Sequence, residues 1–213
     1  MTIPTPPSLP ALATVTDVAN RMPRPLTSAE QTRSAFLLTD ASERIRSFTK
    51  QTFNLIQTAE VIAPVDNQII LPQRPAISVD ALARVDPSGN SYMPYSIFTW
   101  DGAQTIMLGP PSAVINAPEF WVDNDWFWRN VTYLVTYTHG YSVIPDKVVG
   151  VCATMVMRVL LAPGSPGVVG ETIGGYSYRM ADGVPLAAIS MTSDDEEVLK
   201  PFCARKNRTI EFR

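Results

Sequence analysis

Pro145-Asp146-Lys147-Val148-Val149-Gly150-Val151-Cys152-Ala153-Thr154-Met155-Val156-Met157-Arg158-Val159-Leu160-Leu161 is the most apolar continuous run in the chain, and the fold is read outward from it. Proline suits a first helical position, where its missing N–H is not needed, and Asp146 favours the positive end of the helix dipole. Val148, Val149, Cys152, Met155, Val156, Val159 and Leu160 recur at spacings of three and four, the period of an α-helix. Val151, Met157 and Leu161 fall off that stripe and are apolar too, so the helix must be covered on several sides. Lipid is a poor cover: a membrane span needs about 20 apolar residues, and Arg158 interrupts this shorter run. Pro163-Gly164-Ser165-Pro166-Gly167 then ends it. The reading is a central helix of a small domain, with Val151, Met155 and Arg158 as candidates for a face that meets a neighbouring copy.

The 213 residues hold one domain, or one with a large insertion. A hydrophobic content of 46% and a charged content of 17% describe a globular chain. The net charge of −3 argues against a dedicated nucleic-acid binder. Charge is uneven, however. Asp194-Asp195-Glu196-Glu197 is followed by Lys200, Arg205, Lys206, Arg208 and Arg213 against Glu211 alone, a contrast that fits either a solvated tail or one that meets an acidic partner. Cys152 and Cys203 form no metal spacing and no disulfide framework. Met1 to Ala13 lacks the basic and apolar regions of a signal peptide, so maturation in a reducing cytoplasm is expected, with no membrane anchor.

Residues 1–13 are proline-rich and read as an extended arm, either loose or wrapped on a neighbouring subunit. Thr14 to Met22 makes a short helix with Thr16 as its candidate cap. Thr27-Ser28-Ala29-Glu30 spells a capping box, opening a long helix to about Lys50. Leu37, Ala41, Ile45 and Phe48, with Phe36 and Leu38 beside them, form its apolar stripe, with Glu30, Arg33, Asp40, Glu43, Arg44 and Arg46 on the wet side. From Phe53 to Val143 the period changes to short β-branched and aromatic runs separated by turn signals, Asp66-Asn67 and Asp101-Gly102 among them. That pattern predicts an antiparallel barrel or sandwich inserted into a helical domain.

The predicted fold class is therefore α+β: a small helical bundle of residues 14–52 plus 144–189, an inserted β domain of 53–143, an N-terminal arm of 1–13 and a C-terminal tail of 190–213. Within the insertion, Trp121, Trp126 and Trp128 lie in an aromatic-dense stretch. It reads as a sheet core around Asp123-Asn124-Asp125, or as a stacking surface for sugars or bases. After the central helix, Gly174 and Gly175 precede the alternating Tyr176 and Tyr178, and Ser193-Asp194-Asp195-Glu196 spells a further capping box.

Chemistry is sparse. His139 is the single histidine and stands where a strand ends, a setting of hydrogen-bonded structural histidines; no second histidine or CxxC supports a metal. No nucleophile motif such as GxSxG is present, and 194–197 reads as helix N-terminal charge. The residues predict no active site, cofactor or metal, which leaves a binding or structural protein.

Three stretches together resemble the head–tail connector (adaptor, or head-completion) proteins of long-tailed bacteriophages. They are Ala13 to Val18 with Pro25-Leu26-Thr27 and Ala41 to Thr49; Val135 to Tyr141 with Ile144-Pro145; and Gly174-Gly175-Tyr176-Ser177-Tyr178 with Leu199-Lys200-Pro201-Phe202. The resemblance implies a non-enzymatic virion protein, assembled in the host cytoplasm and placed at the head–tail joint. It forms a ring, commonly of twelve copies, beneath the portal, extends the DNA channel and carries the next neck (stopper) or tail-terminator protein. Genomic DNA would pass its bore without sequence preference. Leu199 and Phe202 are the candidate portal anchors, with Arg205, Lys206 and Arg208 supplying charge complementarity. The rival reading is a carbohydrate- or nucleic-acid-binding β module using the three tryptophans.

Overall fold

The computed structural model describes residues 9–85, 92–109, 132–162, 170–173, 176–179 and 189–204. The chain divides into a helical unit, Met1–Lys50 with Val143–Cys203, and a β unit built on Gln51–Ser142. This is a mixed α+β architecture.

The helical unit contains α1 (Val15–Ala19), α2 (Ser28–Thr49), α3 (Asp146–Leu161) and α4 (Ser193–Leu199), followed by a 3-10 turn over Lys200–Phe202. Each of the three helices other than α3 opens with a reciprocal capping box. On α1 the pair is Thr14 with Asp17, whose carboxylate accepts from Thr14 N at 2.7 Å. The sequence places the cap at Thr16; Thr14 wins because only it has an acid three residues on. On α2 Thr27 pairs with Glu30 as predicted, and Arg24 adds a 2.6 Å ion pair. The Arg24 hydrogen bonds, then those from Thr27, hold the Glu30 carboxyl well below its ordinary range.

Val148, Val151, Cys152, Ala153, Met155, Val156 and Val159 of α3 are buried. α1, α2 and α4 all pack on it. The facing stripe of α2 is not the one the sequence predicts. Ala41 and Ile45 are in it, but with Ser34, Leu38, Ser42, Arg46 and Thr49, while Leu37 and Phe48 are left half-buried. The three buried hydroxyls are satisfied by carbonyls one turn back: Ser34 to Glu30 O at 2.6 Å, Ser42 to Leu38 O at 2.6 Å and Thr49 to Ile45 O at 2.8 Å. Small residues with internally bonded hydroxyls let α2 approach α3 closely, and Ser42 Oγ lies 3.6 Å from Cys152 Sγ. Burial pushes that thiol up to about 11, which makes it an inert packing group.

The N-terminal segment is tied to the same edge of α2. Leu12 is 2% exposed, its N–H donates to Ser42 Oγ at 2.8 Å, and the Arg46 guanidinium donates to Pro10 O. Arg46, placed on the wet side by its charge, is buried because its donors reach this carbonyl and the Glu43 carboxylate. The strands β8 (Gly170–Ile173) and β9 (Tyr176–Arg179) pair as an antiparallel hairpin.

Among the described residues the β unit has two sheets. β1 (Ile56–Ile62), β7 (Thr132–His139), β3 (Ala76–Val85) and β4 (Tyr92–Pro94) form one, in the order β1-β7-β3-β4. β2 (Gln68–Ile70), β6 (Thr105–Leu108) and β5 (Phe98–Trp100) form the other, in the order β2-β6-β5. β7 alternates strictly: Tyr133, Val135, Tyr137 and His139 are buried, and the residues between them are half-buried. Tyr133, Val135 and Tyr137 form one core with Leu82 of β3 and with Ile69, Ile106 and Leu108 of the other sheet, so the two sheets bury their facing sides and do not close into a barrel. Both predicted turns are present. Asp66 and Asn67 sit at φ 50° and 60° between Val65 and Gln68, and the Asp101 carboxylate accepts from Ala103 N and Thr105 N beside Gly102 at φ 76°.

His139 is 1% exposed, with Nε2 2.9 Å from Thr58 Oγ1. Burial lowers its pKa, so the folded ring is neutral, a structural residue of the β core. Unfolding at acidic pH frees the ring to take a proton. The stability it contributes is complete above its ordinary value of 6.5 and is lost as pH falls below it. The thermal stability of the wild type should therefore fall as pH drops below about 6.5, and His139→Gln, which cannot titrate, should flatten that leg of the profile. The glycines beside these strands give a second check. A Cβ on Gly102 meets nothing within 4 Å, whereas one on Gly140, at φ 100°, lies 2.1 Å from Asn54 O. Gly102→Ala should destabilise by about 1 kcal/mol from its φ alone. Gly140→Ala should lose roughly 2 kcal/mol or more in denaturant titration, because backbone must move as well.

Candidate docking surfaces of the helical unit

α4 is held by one carboxylate. Asp195, 8% exposed, accepts from Thr192 N at 2.9 Å and from the Arg158 guanidinium of α3, while Thr192 Oγ1 accepts from Asp195 N at 3.3 Å. The cap is Thr192, one residue before the serine that the sequence predicts; Ser193 also has an acid three residues on, Glu196, but Asp195, three residues after Thr192, is the one that pairs with Arg158 of α3 as well. Arg158 is the one charged residue in the helix beyond Lys147, and its guanidinium is committed to this pair. The clamp sets Leu199 into the core at 0% exposure.

That corrects two site expectations. Leu199 cannot serve as a surface anchor, since it is a core residue of its own unit. Val151 and Met155, 7% and 1% exposed, are likewise interior and not offered to a neighbour. The helical unit runs through Cys203, so the segment that leaves it is shorter than the predicted tail of 190–213. Phe202 is half-buried in the 3-10 turn. Tyr176 and Tyr178 belong to β9, where their backbones pair with Ile173 and Glu171. Gly174, Gly175, Arg205, Lys206, Arg208, Trp121, Trp126 and Trp128 lie outside the described residues.

Between α2 and the segment entering α4 runs a groove of about 760 Å³. Leu37 and Phe48 of α2 and Ile189 and Met191 of the entering segment supply its apolar lining, and all four are half-buried. The exposed Asp40, Arg44 and Glu196 are its charged lining. The sequence assigns Leu37 and Phe48 to the core stripe and so misses the groove. The signal was the serines and threonine at 34, 42 and 49, which recur at helical spacing and rotate the buried face away from both residues.

Among the described residues no three of His, Cys, Asp and Glu gather as a cation site, and no helix is long and apolar enough to cross a membrane. No protein-family model and no curated protein sequence matches the chain. Solved structures do. One is a chain of the virion of a native gene transfer agent particle, with a TM-score of 0.53 at 14% identity over 97% of this chain and 94% of that one. Another is a chain of the neck of an empty gene transfer agent particle computed with C6 symmetry, with a TM-score of 0.50 at 15% identity over 97% and 95%. The chain is similar in fold to both. Coverage at that level takes in the helical unit and the β unit alike, so the β strands are part of the shared fold and not an addition peculiar to this sequence.

The Asp195 clamp yields a graded test. Thr192→Ala should destabilise by about 1 kcal/mol, the usual loss of a cap. Asp195→Ala should lose roughly 2 to 3 kcal/mol, because it also leaves a half-buried guanidinium unpaired. Hydrogen exchange should show both losses in residues 193–203, with the β unit unchanged.

Proposed function

We propose that the protein is a structural component of the neck of a phage-like particle, a ring at the head–tail joint that docks on the portal, continues the DNA channel and carries the next neck protein. The observation that carries the reading is the fold shared with gene transfer agent chains along nearly the whole length of both. The three sequence stretches that resemble phage connectors point the same way by a separate route. Function in this reading needs surfaces and no chemistry, which agrees with a histidine and a cysteine that are both buried and structural.

The portal contact is assigned to the segment after Leu199. Leu199 secures the end of the helical unit in its core, and Phe202, Arg205, Lys206 and Arg208 follow it in sequence as one apolar and three cationic residues. Such charges act mainly on the rate of encounter and are weakened by salt. Ring contacts between copies must be heterologous, because a cyclic assembly of more than two joins one face of each subunit to a different face of the next.

Light scattering on a sizing column, with the protein alone and mixed with assembled portal, tests the reading. A complex gaining about twelve chains is expected. Removal of residues 205–213 should leave the unfolding midpoint in place and abolish the gain. A full-length chain that ignores portal would refute the role, and a truncated chain that still binds would refute the assignment of the tail.

A further inference from the structure

Among the described residues the two sheets of the β unit end in four outer strands, and three of them are guarded. β4, β2 and β5 are each three residues long, and β4 ends on Pro94. Very short strands and proline are common means of keeping a sheet edge from pairing with another chain. β1 has neither. It runs for seven residues, pairs with β7 at every position without a bulge, and contains no proline, lysine or arginine. Gln57, Ala59 and Val61 along it are exposed. In an antiparallel strand successive residues turn their N–H and C=O groups to opposite sides, so about half of the β1 backbone faces the open edge.

A second open edge lies in the helical unit. There β8 and β9 form a sheet of two strands. A hairpin of two strands is marginal in water by itself and is steadied by a third. Its two edges differ in charge, since β8 carries Glu171 and β9 carries Arg179. β9 also contains Tyr176 and Tyr178, a residue type favoured in strands. The one charged residue of β1 is Glu60, half-buried and without an ion pair among the described residues. Burial raises its pKa, the mark of a carboxylate short of a cation. Opposite charges on neighbouring strands stabilise a pairing and like charges weaken it, so β9 suits β1 and β8 does not. Within one chain the pairing is not made: the hairpin and the sheet that ends in β1 are separate and belong to different units.

We propose that β9 of one copy adds to the open edge of β1 in the next, giving a sheet in the order β8-β9-β1-β7-β3-β4 with Arg179 beside Glu60. Main-chain hydrogen bonds supply the contact, as in other strand additions. Each copy offers one donor strand and one different acceptor strand, which is the heterologous contact that a closed ring repeats. The inference rests on the ring reading for its choice of a second copy over a foreign chain.

The test uses the full chain with Cys203→Ser, which leaves the buried Cys152 as the only native thiol. One form carries Ala59→Cys and a second carries Ser177→Cys. Mixed at high concentration with a short bis-maleimide, they are expected to give a two-chain product that neither gives alone. Val61→Lys in the first form guards the exposed edge with a charge, and Arg179→Glu in the second sets like charges together. Each should lower the yield about fivefold with the unfolding midpoint unchanged. Absence of the mixed product overturns the inference, as does a product insensitive to both substitutions. A chain carrying both cysteines should give a ladder of two, three and more chains. A link confined to single chains would assign β9 to its own β1, and overturns it too. Portal binding by light scattering is read separately: if it persists where the cross-link fails, only the strand pairing falls, and a cross-linked chain that ignores portal removes only the neck role.

Discussion

The helical unit depends on covering α3. Val148, Val151, Cys152, Ala153, Met155, Val156 and Val159 are buried, and a helix with so wide an apolar face has no stable state in water until several partners cover it. α1 and α2 supply part of the cover from before the β unit in sequence, and α4 supplies the rest from after α3. The order of the chain follows from this. A β unit can sit between α2 and α3 because the two helices are brought together by packing and not by a short connection, and loop-closure cost grows only slowly with length.

Polar groups settle the details that apolar burial leaves open. Burying Leu38 or Ile45 sets no unique rotation of α2, since hydrophobic contact is non-directional. Ser42 does, because it bonds its own helix, touches Cys152 and receives the Leu12 N–H. Arg46 fixes the N-terminal segment through a carbonyl, and Arg158 fixes α4 through Asp195. In each case a group that would be unsatisfied in any other arrangement selects one among many apolar packings of similar energy.

Legibility in the sequence followed the same division. Helices, strands and turns with a strong period or a reciprocal side-chain pair were readable: α3 from its apolar run, α2 from Thr27 and Glu30, the β5–β6 turn from Asp101-Gly102. Errors came where two residues of one type competed. Thr14 over Thr16 is decided by which has the acid three residues on, a rule visible in the sequence and applied to the wrong residue; Thr192 and Ser193 both satisfy it, and the pairing of Asp195 with Arg158 favours Thr192. The rotation of α2 was harder, because serine and threonine read as surface until their hydroxyls are seen bonding one turn back. Burial of Leu199 could not be read at all from its tail-like surroundings, since it depends on the pairing of Asp195 with an arginine on another helix.

That last dependence bears on where binding surfaces arise in a small protein. Side chains strongly apolar and well placed for the core, such as Leu199 and Met155, are used up by folding and are unavailable for a partner. The surface left for other chains is built from residues that folding half-covers. Leu37, Phe48, Ile189 and Met191 are of this kind: apolar enough to gain from further burial, yet the unit is already packed without closing over them. Their remaining exposure is modest, so each can add only a part of the 1.5 to 3 kcal/mol that full burial of such a side chain brings.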